Sequence, residues 1–297
     1  MTVPAAVVFD VDGTLADTER DGHRVAFNNA FAVHGVDVFW DVEHYGHLLA
    51  VTGGRRRIVA DLAAREEAGG EAADETVLEE LAARVHRTKT RLFAEEVRRG
   101  AIGPRPGVRA LVADLRAHGT RIAVATTGTR AWAEPLVEHL LGAGTAEVAV
   151  FGDDVARLKP DPQAYELALA RLGVDPGDAV AVEDSAPGLA AARGAGLATV
   201  VVTNGYTRGH GFAGAALLRR EFHRPTALTA ADLGALVARR APDRVTVAAR
   251  YGAHSPAGPG GPARPCGRRE GASGWPGQAQ AHPPGQAPPV EQAPPAP

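Results

Sequence analysis

Carboxylates, a lysine and hydroxyls recur in four short polar segments of the sequence. Carboxylates crowded together bind protons at neutral pH unless a cation holds them ionised, so their clustering predicts a metal site. Oxygen ligands without paired histidines or several cysteines favour Mg²⁺ over zinc. Residue type alone does not decide between the neighbours Glu183 and Asp184, one of which could bind the metal through water or stabilise a nearby loop. The candidate metal ligands are Asp10, Asp12, Glu183 and Asp184.

The same segments contain the groups that phosphoryl transfer needs. Aspartate is one of the few side chains that accept a phosphoryl group covalently, and Asp10 is the first polar residue after an apolar run. Asp12 projects the same way from an extended segment, so it could protonate the leaving oxygen and then deprotonate a water. Lys159 and the Thr126 hydroxyl would hold the other phosphate oxygens. Thr126 could also cap the following helix, and Thr127 could take its role.

Apolar runs ahead of the polar segments predict the strands that position them. Each run has four to six residues and is nearly all apolar, as expected for strands covered on both faces. Helical spacing between the runs, as in Val108, Leu111, Val112 and Leu115, completes a strand–helix alternation typical of a doubly wound, Rossmann-like α/β fold with a parallel sheet. In such a sheet the ligand site lies at the carboxyl ends of the strands. The predicted strands are Ala5–Phe9, Arg121–Ala125, Val148–Phe151, Ala179–Val182 and Ala198–Thr203.

One long interval interrupts this alternation. From Thr18 to about Gly100 the sequence is almost wholly helical in pattern, which is too long for a simple crossover and predicts an inserted α-helical cap. From Tyr251 onward the chain holds 12 of its 22 prolines and only Val290 among Val, Ile, Leu and Met, which predicts a disordered tail. The expected domains are a core at 1–17 and 101–245, a cap at 18–100 and a Pro/Gly-rich tail at 246–297.

Overall composition excludes several classes of function. The 297 residues carry 32 Lys and Arg against 35 Asp and Glu, a net charge of −3, so no global field attracts nucleic acid or an anionic membrane. No apolar run reaches the ~18 residues of a membrane-spanning helix, and the N-terminus lacks the basic flank of a secretory signal. A single cysteine, Cys266, excludes an internal disulfide and a multi-cysteine metal site. We expect a cytoplasmic monomer that binds a small molecule.

Together, the four segments resemble a known family. The strings FDVDGTLADTE, VATTGT, LKPDP and VEDSAPGL, in this order and spacing, are similar to the four motifs of the haloacid dehalogenase-like phosphatases, which carry a cap after the first motif. The resemblance covers about residues 1 to 240 and implies Mg²⁺ and an aspartyl-phosphate. It implies a nucleophile at Asp10, an acid/base at Asp12, phosphate binding by Thr126 and Lys159, and metal binding by Asp184, Glu183 and the Asp12 carbonyl.

Within that family, the predicted cap is similar to that of the CbbY-type subgroup, whose members dephosphorylate xylulose-1,5-bisphosphate. The likeness lies in TERDGHRVAFNNAF, WDVEHYGHLLAVTGGRRR and HRTKTRLF. Two departures are that Arg56 replaces an acid and that VATTGTRAWA lacks an asparagine-bearing stretch. The implied substrate-binding residues are Gly53, Gly54, Arg55, Arg57, His86 and Lys89, with Glu19 and His23 at the cap entrance and Thr126, Thr127 and Gly128 on the core.

Plainer interpretations of the cap residues stay open. Glu19 and His23 lie at i, i+4 and could be an ordinary side-chain pair on a helix. The arginines at 55–57 could be a solvated helix face, whereas the preceding Gly-Gly and the expected helix N-terminus favour an anion site. A second phosphate on the substrate would explain an anion site there.

The sequence therefore predicts a Mg²⁺-dependent phosphatase that hydrolyses a small sugar bisphosphate, with xylulose-1,5-bisphosphate as the first candidate. A mobile cap would exclude water and select the substrate. One alternative is a β-phosphoglucomutase-like phosphomutase, which shares the core motifs, and another is a phosphoglycolate phosphatase, whose substrate has one phosphate. A non-catalytic binding protein is the remaining alternative, but a binding module has no need of both Asp10 and Asp12.

Overall fold

The chain is seen in a computed structural model that describes residues 2–51, 53–69 and 74–239. The predicted disordered tail at 246–297 lies outside these ranges. Within them, the strands form one parallel sheet of six with the order β3-β2-β1-β4-β5-β6. The strands are β1 (Ala6–Phe9), β2 (Arg121–Ala125), β3 (Val148–Val150), β4 (Ala179–Glu183), β5 (Ala198–Val202) and β6 (Leu217–Arg219).

This sheet confirms the predicted parallel α/β core and differs from the sequence prediction in two details. Strand β6 was not predicted, because its three residues are too few to show a pattern and only their pairing with β5 makes them a strand. Glu183, expected just beyond a strand, is instead the last residue of β4 and pairs with Val201. It is therefore held by the sheet itself.

The helices surround the sheet and fill the interval after β1. A π-helical turn, Thr18–His23, leads into the first of them. No helix in the described ranges is both long and apolar enough to cross a membrane. The α-helices are α1 (Arg24–Val33), α2 (Val42–Leu48), α3 (Gly54–Gly69), α4 (Glu75–Arg98), α5 (Val108–Ala117), α6 (Arg130–Leu141), α7 (Gln163–Leu172) and α8 (Ala186–Gly194), and residues 230–239 are also helical.

Alternate residues of the strands bury opposite faces of the sheet. In β1, Val7 and Phe9 join the apolar cluster of α5 and α6, whereas Ala6 and Val8 join that of α7 and α8. The second cluster is rich in alanine, whose small side chain lets those helices pack close to the strands. Because both faces are covered, only the edges of the sheet remain for a ligand.

Helices α1 to α4 correspond to the predicted cap and have an apolar core of their own. Its largest members are Phe27, Phe31, Trp40 and Tyr45, which pack ring against ring. The carboxylate of Asp61, buried beside this core, accepts a 2.7 Å hydrogen bond from the Trp40 indole and is therefore partnered. The helices from the π-helical turn to α4 thus agree with the expected insertion, while the exact domain boundaries stay a prediction.

Candidate active site

Three carboxylates meet at the carboxyl edge of the sheet. Asp10 directly follows β1, and its backbone N–H donates to the Val182 carbonyl of β4 at 3.0 Å. Glu183 and Asp184 end and follow β4, the neighbouring strand. The buried side chains of these three acids each have an oxygen within 4.8 Å of the others. Three of the four carboxylates predicted as metal ligands therefore lie together, without the Asp12 side chain, and their all-oxygen donor set fits a divalent cation.

Lys159 links two of these acids. Its Nζ lies 2.6 Å from Asp10 Oδ1 and 2.6 Å from Glu183 Oε1. Burial alone would lower the pKa of Lys159, but Asp10 and Glu183 raise it above its ordinary value, so the ammonium stays charged. Burial raises the pKa of Asp10 to about 6 against the opposing effect of Lys159. One ammonium thus faces three carboxylates, and a dication would balance the excess negative charge.

Glu183 and Asp184 differ in how many of their oxygens are already engaged. Glu183 Oε1 accepts from Lys159 and, at 2.6 Å, from the Tyr165 hydroxyl, while Oε2 accepts from the Asp184 N–H and the Ser185 hydroxyl, each at 3.2 Å. Asp184 Oδ2 accepts a 2.6 Å hydrogen bond from Asn204 Nδ2. Within the described ranges, Asp184 Oδ1 accepts a hydrogen bond from the Thr14 hydroxyl alone, and that bond is long, at 3.4 Å. Asp184 therefore has the freer oxygen for a metal.

Asp12 has surroundings of its own. Its Oδ1 accepts a 2.5 Å hydrogen bond from the Thr18 hydroxyl at the start of the π-helical turn. Burial, together with the nearby charge of Asp10, raises the pKa of Asp12 to about 7. A carboxyl group with a pKa near neutrality can both donate and accept a proton, which is what general acid–base chemistry requires.

The loop that leads from Asp10 and Asp12 to the cap requires a glycine at position 13. Gly13 has φ +82°, and a Cβ there would lie 2.6 Å from Asn204 Nδ2 and would also meet the Asp184 carboxylate. Only glycine fits, because the conformation is left-handed and the neighbours are close. Asn204 was not predicted from sequence, since it lies beyond β5 in a segment that no motif covers.

Of the residues after β2, Thr126 is fully buried and its hydroxyl accepts a 3.0 Å hydrogen bond from the Gly128 N–H. Thr126 does not cap the following helix, because the N-cap of α6 is Thr129; its hydroxyl instead closes a turn with Gly128. Thr127 is exposed and lines the cavity described next. Gly128 is buried under Trp132, whose ring leaves no room for a Cβ.

A cavity of about 320 Å³ opens over the carboxylates and is lined by both core and cap. The lining residues predicted from sequence are Asp10, Asp12, Glu19, Arg57, Thr127, Lys159 and Asp184. Sequence reasoning missed Asn204, Tyr206, Thr207 and His210, which follow β5 and also line it. Their position after a strand end was the only signal that could have found them.

On the cap side, three polar side chains form a connected cluster. The Tyr45 hydroxyl donates to Glu19 Oε2 at 2.5 Å and accepts from Arg57 Nη1 at 3.2 Å. Arg57 Nη1 also lies 3.9 Å from Glu19 Oε2, and its Nε donates to the Val51 carbonyl at 3.0 Å. The cluster holds a guanidinium at the cap side of the cavity. Tyr45 was not predicted as part of it.

Two other predicted arginines do not reach this cavity. Arg55 pairs with Glu79 at an exposed position of α3 and α4, and Arg56 is exposed. The structure therefore places Arg55 away from this cavity, because Arg55 and Arg57, two positions apart on a helix, point to different sides; a role for Arg55 in substrate binding stays a prediction. Gly53 has φ +93°, and Gly54 begins α3 against His86, where a Cβ would lie 2.8 Å from His86 Nε2.

His23 and Lys89 contact each other and do not line the cavity. Lys89 Nζ is 2.9 Å from His23 Nδ1 and lies over the rings of Phe27 and Phe93, at 4.8 and 5.2 Å. Burial lowers the pKa of Lys89 to about 8 and also lowers that of His23. The i, i+4 pairing considered for His23 and Glu19 does not form, because their turn is π-helical and each bonds elsewhere.

Comparison with known proteins shows which family this chain is similar to. The family model for haloacid dehalogenase-like hydrolases matches residues 4–196. Protein CbbY from Cereibacter sphaeroides is 44% identical over 236 residues, which are 78% of this chain and 99% of that protein.

Two solved structures share the fold. The crystal structure of a CbbY mutant from Rhodobacter sphaeroides in complex with xylulose-1,5-bisphosphate matches with a TM-score of 0.62 and 42% identity, covering 77% of this chain and all of that one. A putative β-phosphoglucomutase from Thermotoga maritima matches with a TM-score of 0.57 and 28% identity, covering 79% and 98%.

Proposed function

Because the chain belongs to the haloacid dehalogenase-like hydrolase family and is a phosphatase of that family, we propose that it is a Mg²⁺-dependent phosphatase of a small sugar bisphosphate. The observation that carries this proposal is the polarity of the cavity. Its core side holds Asp10, Asp12 and Lys159, and its cap side holds the guanidinium of Arg57. A substrate with a reactive phosphate at one end and an anionic group at the other matches both sides.

The reaction would proceed in two displacements. An Asp10 carboxylate oxygen attacks phosphorus and forms an O–P bond, while the bond from phosphorus to the sugar oxygen breaks and Asp12 gives that oxygen its proton. A water then attacks phosphorus and passes a proton to Asp12, the bond to Asp10 breaks and phosphate leaves. The raised pKa of Asp12, about 7, supports this role because the carboxyl can carry the proton at neutral pH.

The metal would be held by Asp10 and Asp184 together with the backbone carbonyl of Asp12. When bound, Mg²⁺ supplies positive charge that neutralises phosphate oxygens and keeps the carboxylates ionised. The predicted ligand Glu183 has both oxygens in hydrogen bonds to protein groups. We assign it instead to holding Lys159, which would turn toward the phosphate oxygens with Thr126 or Thr127.

Xylulose-1,5-bisphosphate is the substrate we favour. A relative that is 42% identical was crystallised with this molecule, and Arg57 offers its second phosphate a partner. Phosphoglycolate has a carboxylate in place of a second phosphate, and because a carboxylate carries one negative charge where a phosphate carries about 1.5 to 2, it would engage Arg57 less strongly. Monomeric state and cytoplasmic location stay predictions from the sequence.

A panel of substrates tests the proposal. Phosphate release is measured with Mg²⁺ from xylulose-1,5-bisphosphate, ribulose-1,5-bisphosphate, glucose phosphates and phosphoglycolate, with the Asp10→Asn variant as control. We expect the highest kcat/KM with xylulose-1,5-bisphosphate and a loss of at least ~10³-fold in the variant, since the nucleophile is gone. A preference for monophosphates contradicts the substrate, and an active Asp10→Asn protein contradicts the mechanism.

The same panel separates hydrolase from mutase. With a hexose 1-phosphate, a mutase converts substrate to the isomeric sugar phosphate, whereas a hydrolase releases free phosphate. The 28% identity to a putative β-phosphoglucomutase is the observation that favours the mutase as an alternative. Formation of the isomer without phosphate release would replace the proposed hydrolase by the mutase.

A further inference from the structure

Arg105 is a buried arginine that the motifs do not include. It lies between α4 and α5, where the chain returns from the cap to the core, and it is 9% exposed. Its backbone N–H donates to the Leu15 carbonyl at 2.8 Å, on the segment that leaves the core for the cap. Arg105 therefore lies where the outgoing and returning connections touch.

Its guanidinium joins two loops of the candidate site. Nη1 donates to the Gly13 carbonyl at 2.5 Å and to the Val202 carbonyl at 2.9 Å, and Nη2 donates to the Thr203 carbonyl at 2.7 Å. Gly13 belongs to the loop after β1, whereas Val202 and Thr203 lie at the end of β5. Loss of this side chain would leave three carbonyls without a shared donor.

The second of these loops leads to a carboxylate. Asn204 directly follows Thr203, and its Nδ2 donates to Asp184 Oδ2 at 2.6 Å and to the Gly13 carbonyl at 3.3 Å. The loop that carries Asp10 and Asp12 is thus tied to Asp184 through Arg105 and Asn204. Arg105 and Asn204 can set the distance between the Asp10–Asp12 loop and Asp184 without touching the substrate.

Arginine suits this position for a geometric reason. Arg105 donates its hydrogen bonds to carbonyl oxygens and lies over the ring of Phe222, 5.4 Å from the guanidinium carbon, while the carboxylates of Asp17, Asp184 and Glu221 act on its charge from beyond ion-pair distance. A planar guanidinium donates in several fixed directions, whereas a lysine ammonium is a compact charge on a flexible stem. Hydrogen bonds to carbonyls on two different loops therefore need the fixed donor directions of a guanidinium fork and not only a positive charge.

We propose that Arg105 is a positioning residue of the carboxylate site, fixing the Asp10–Asp12 loop relative to Asp184 for metal binding. The proposal rests on the proposed function, in which these residues hold Mg²⁺. Groups that orient metal ligands without touching the metal are typically worth 10- to 100-fold in metal affinity or activity. We expect a loss of that size when the guanidinium is removed.

The test measures Mg²⁺ binding without substrate, by isothermal titration calorimetry on the full chain, alongside the melting temperature. Arg105→Met should weaken Mg²⁺ binding by about 10- to 100-fold, and Arg105→Lys should fall between it and the wild type, because the charge remains but the fork is lost. Arg121→Met is the matched control. Arg121 also donates to a carbonyl, that of Leu172 at 2.7 Å, but it lies at the opposite edge of the sheet.

Each outcome decides the question. Unchanged Mg²⁺ affinity in a folded Arg105→Met protein, or wild-type affinity in Arg105→Lys, overturns the proposal. If Arg105→Met does not fold, Arg105→Lys decides, and weakened binding at an unchanged melting temperature supports the proposal. If Arg121→Met weakens Mg²⁺ binding as much as Arg105→Met does, at the same loss of melting temperature, the proposal is overturned. Failure of the proposed substrate, in contrast, shows only as absent phosphate release by the wild type.

Discussion

Asp10 and Asp12 are the same residue type two positions apart, yet they have different partners. Asp10 touches the ammonium of Lys159, whereas Asp12 accepts a hydrogen bond from the Thr18 hydroxyl. Burial raises both pKa values, to about 6 for Asp10 and about 7 for Asp12. The Lys159 ammonium favours the ionised form of Asp10, which suits a nucleophile, while Asp12, next to the charge of Asp10, can hold a proton for the leaving group.

The raised pKa of Asp12 predicts a pH-dependent stability of the metal-free chain. The folded state binds this proton more tightly than the unfolded state, so the stabilisation is complete below pH 3.8 and is lost as the pH rises through about 7. Across that range, Asp12 should lower the free energy of unfolding by up to about 4 kcal/mol. Urea unfolding in EDTA between pH 4 and 8 measures it, and Asp12→Asn should show a smaller decline.

Glu147→Gln is the control for that experiment. Glu147 lies at the opposite edge of the sheet, and its hydrogen bond with Arg121 lowers its pKa, so its substitution should leave the decline between pH 5 and 8 unchanged. An Asp12→Asn protein that declines as steeply as the wild type would show that Asp12 is not the group responsible.

At the scale of elements, α3 and the loop after β1 determine which side chains reach the cavity. Arg55 and Arg57 are two residues apart on α3, and positions i and i+2 of a helix do not share a face. Arg55 therefore pairs with the exposed Glu79, while Arg57 joins Tyr45 and lines the cavity. The helix separates residues that the sequence shows as one basic run.

This separation predicts different effects for the two arginines. Arg57→Ala should raise KM for xylulose-1,5-bisphosphate by about 10- to 100-fold with little change in kcat, because a charge-assisted hydrogen bond of about 1.5–3 kcal/mol is lost. Arg55→Ala, the matched control, should leave KM unchanged. Steady-state kinetics measure both values. Equal effects of the two substitutions, or none from Arg57→Ala, would contradict the assignment of the distal anion to Arg57.

The loop after β1 yields a second prediction at this scale. Gly13→Ala should abolish activity and destabilise the fold by about 1–3 kcal/mol, because the backbone has φ +82° and the added Cβ meets Asn204 and Asp184. Gly35 has φ +64° with nothing within 4 Å of an added Cβ, so Gly35→Ala reports the backbone strain alone. Phosphate release and urea unfolding compare them, and an active Gly13→Ala protein would contradict the close approach.

For the whole molecule, the order of the strands gathers residues that are far apart in sequence. Strand β1 lies between β2 and β4, so Asp10 meets Lys159 and Glu183 at one edge although 149 positions separate Asp10 from Lys159. The helices inserted after β1 carry Arg57 to the same cavity from the other side. The result is a concentration of negative charge that the chain by itself does not balance.

That charge predicts metal-dependent stability. Mg²⁺ at about 100 times its dissociation constant should stabilise the chain by about 2.7 kcal/mol and raise the melting temperature by about 5–10 °C. The rise should be larger at pH 8 than at pH 5, because protons compete for carboxylates whose pKa values burial raises. Thermal unfolding of the EDTA-treated chain measures it. Asp184→Asn should remove the rise, and an equal rise in that variant would place the metal elsewhere.

By itself, the sequence determined the family, the parallel core and the main polar groups of the site. Apolar runs and the polar segments that follow them can be seen in the sequence. They were sufficient to predict that Asp10, Lys159 and Asp184 lie at one edge of the sheet. Local spacing also predicted the buried face of α5, because a period of 3.6 residues reports burial directly.

Tertiary structure alone decided how these groups are held. The helical spacing of Tyr165, Leu169 and Leu172 is typical of a buried face of α7, but it does not reveal that the Tyr165 hydroxyl bonds Glu183. Asn204 and Arg105 lie outside every motif and yet hold the loops around Asp184. Such contacts join side chains to groups far away in sequence, so they depend on the path of the chain and not on any local pattern. The choice of Arg57 over Arg55 has the same origin, since helix rotation against its neighbours sets which side chain faces the cavity.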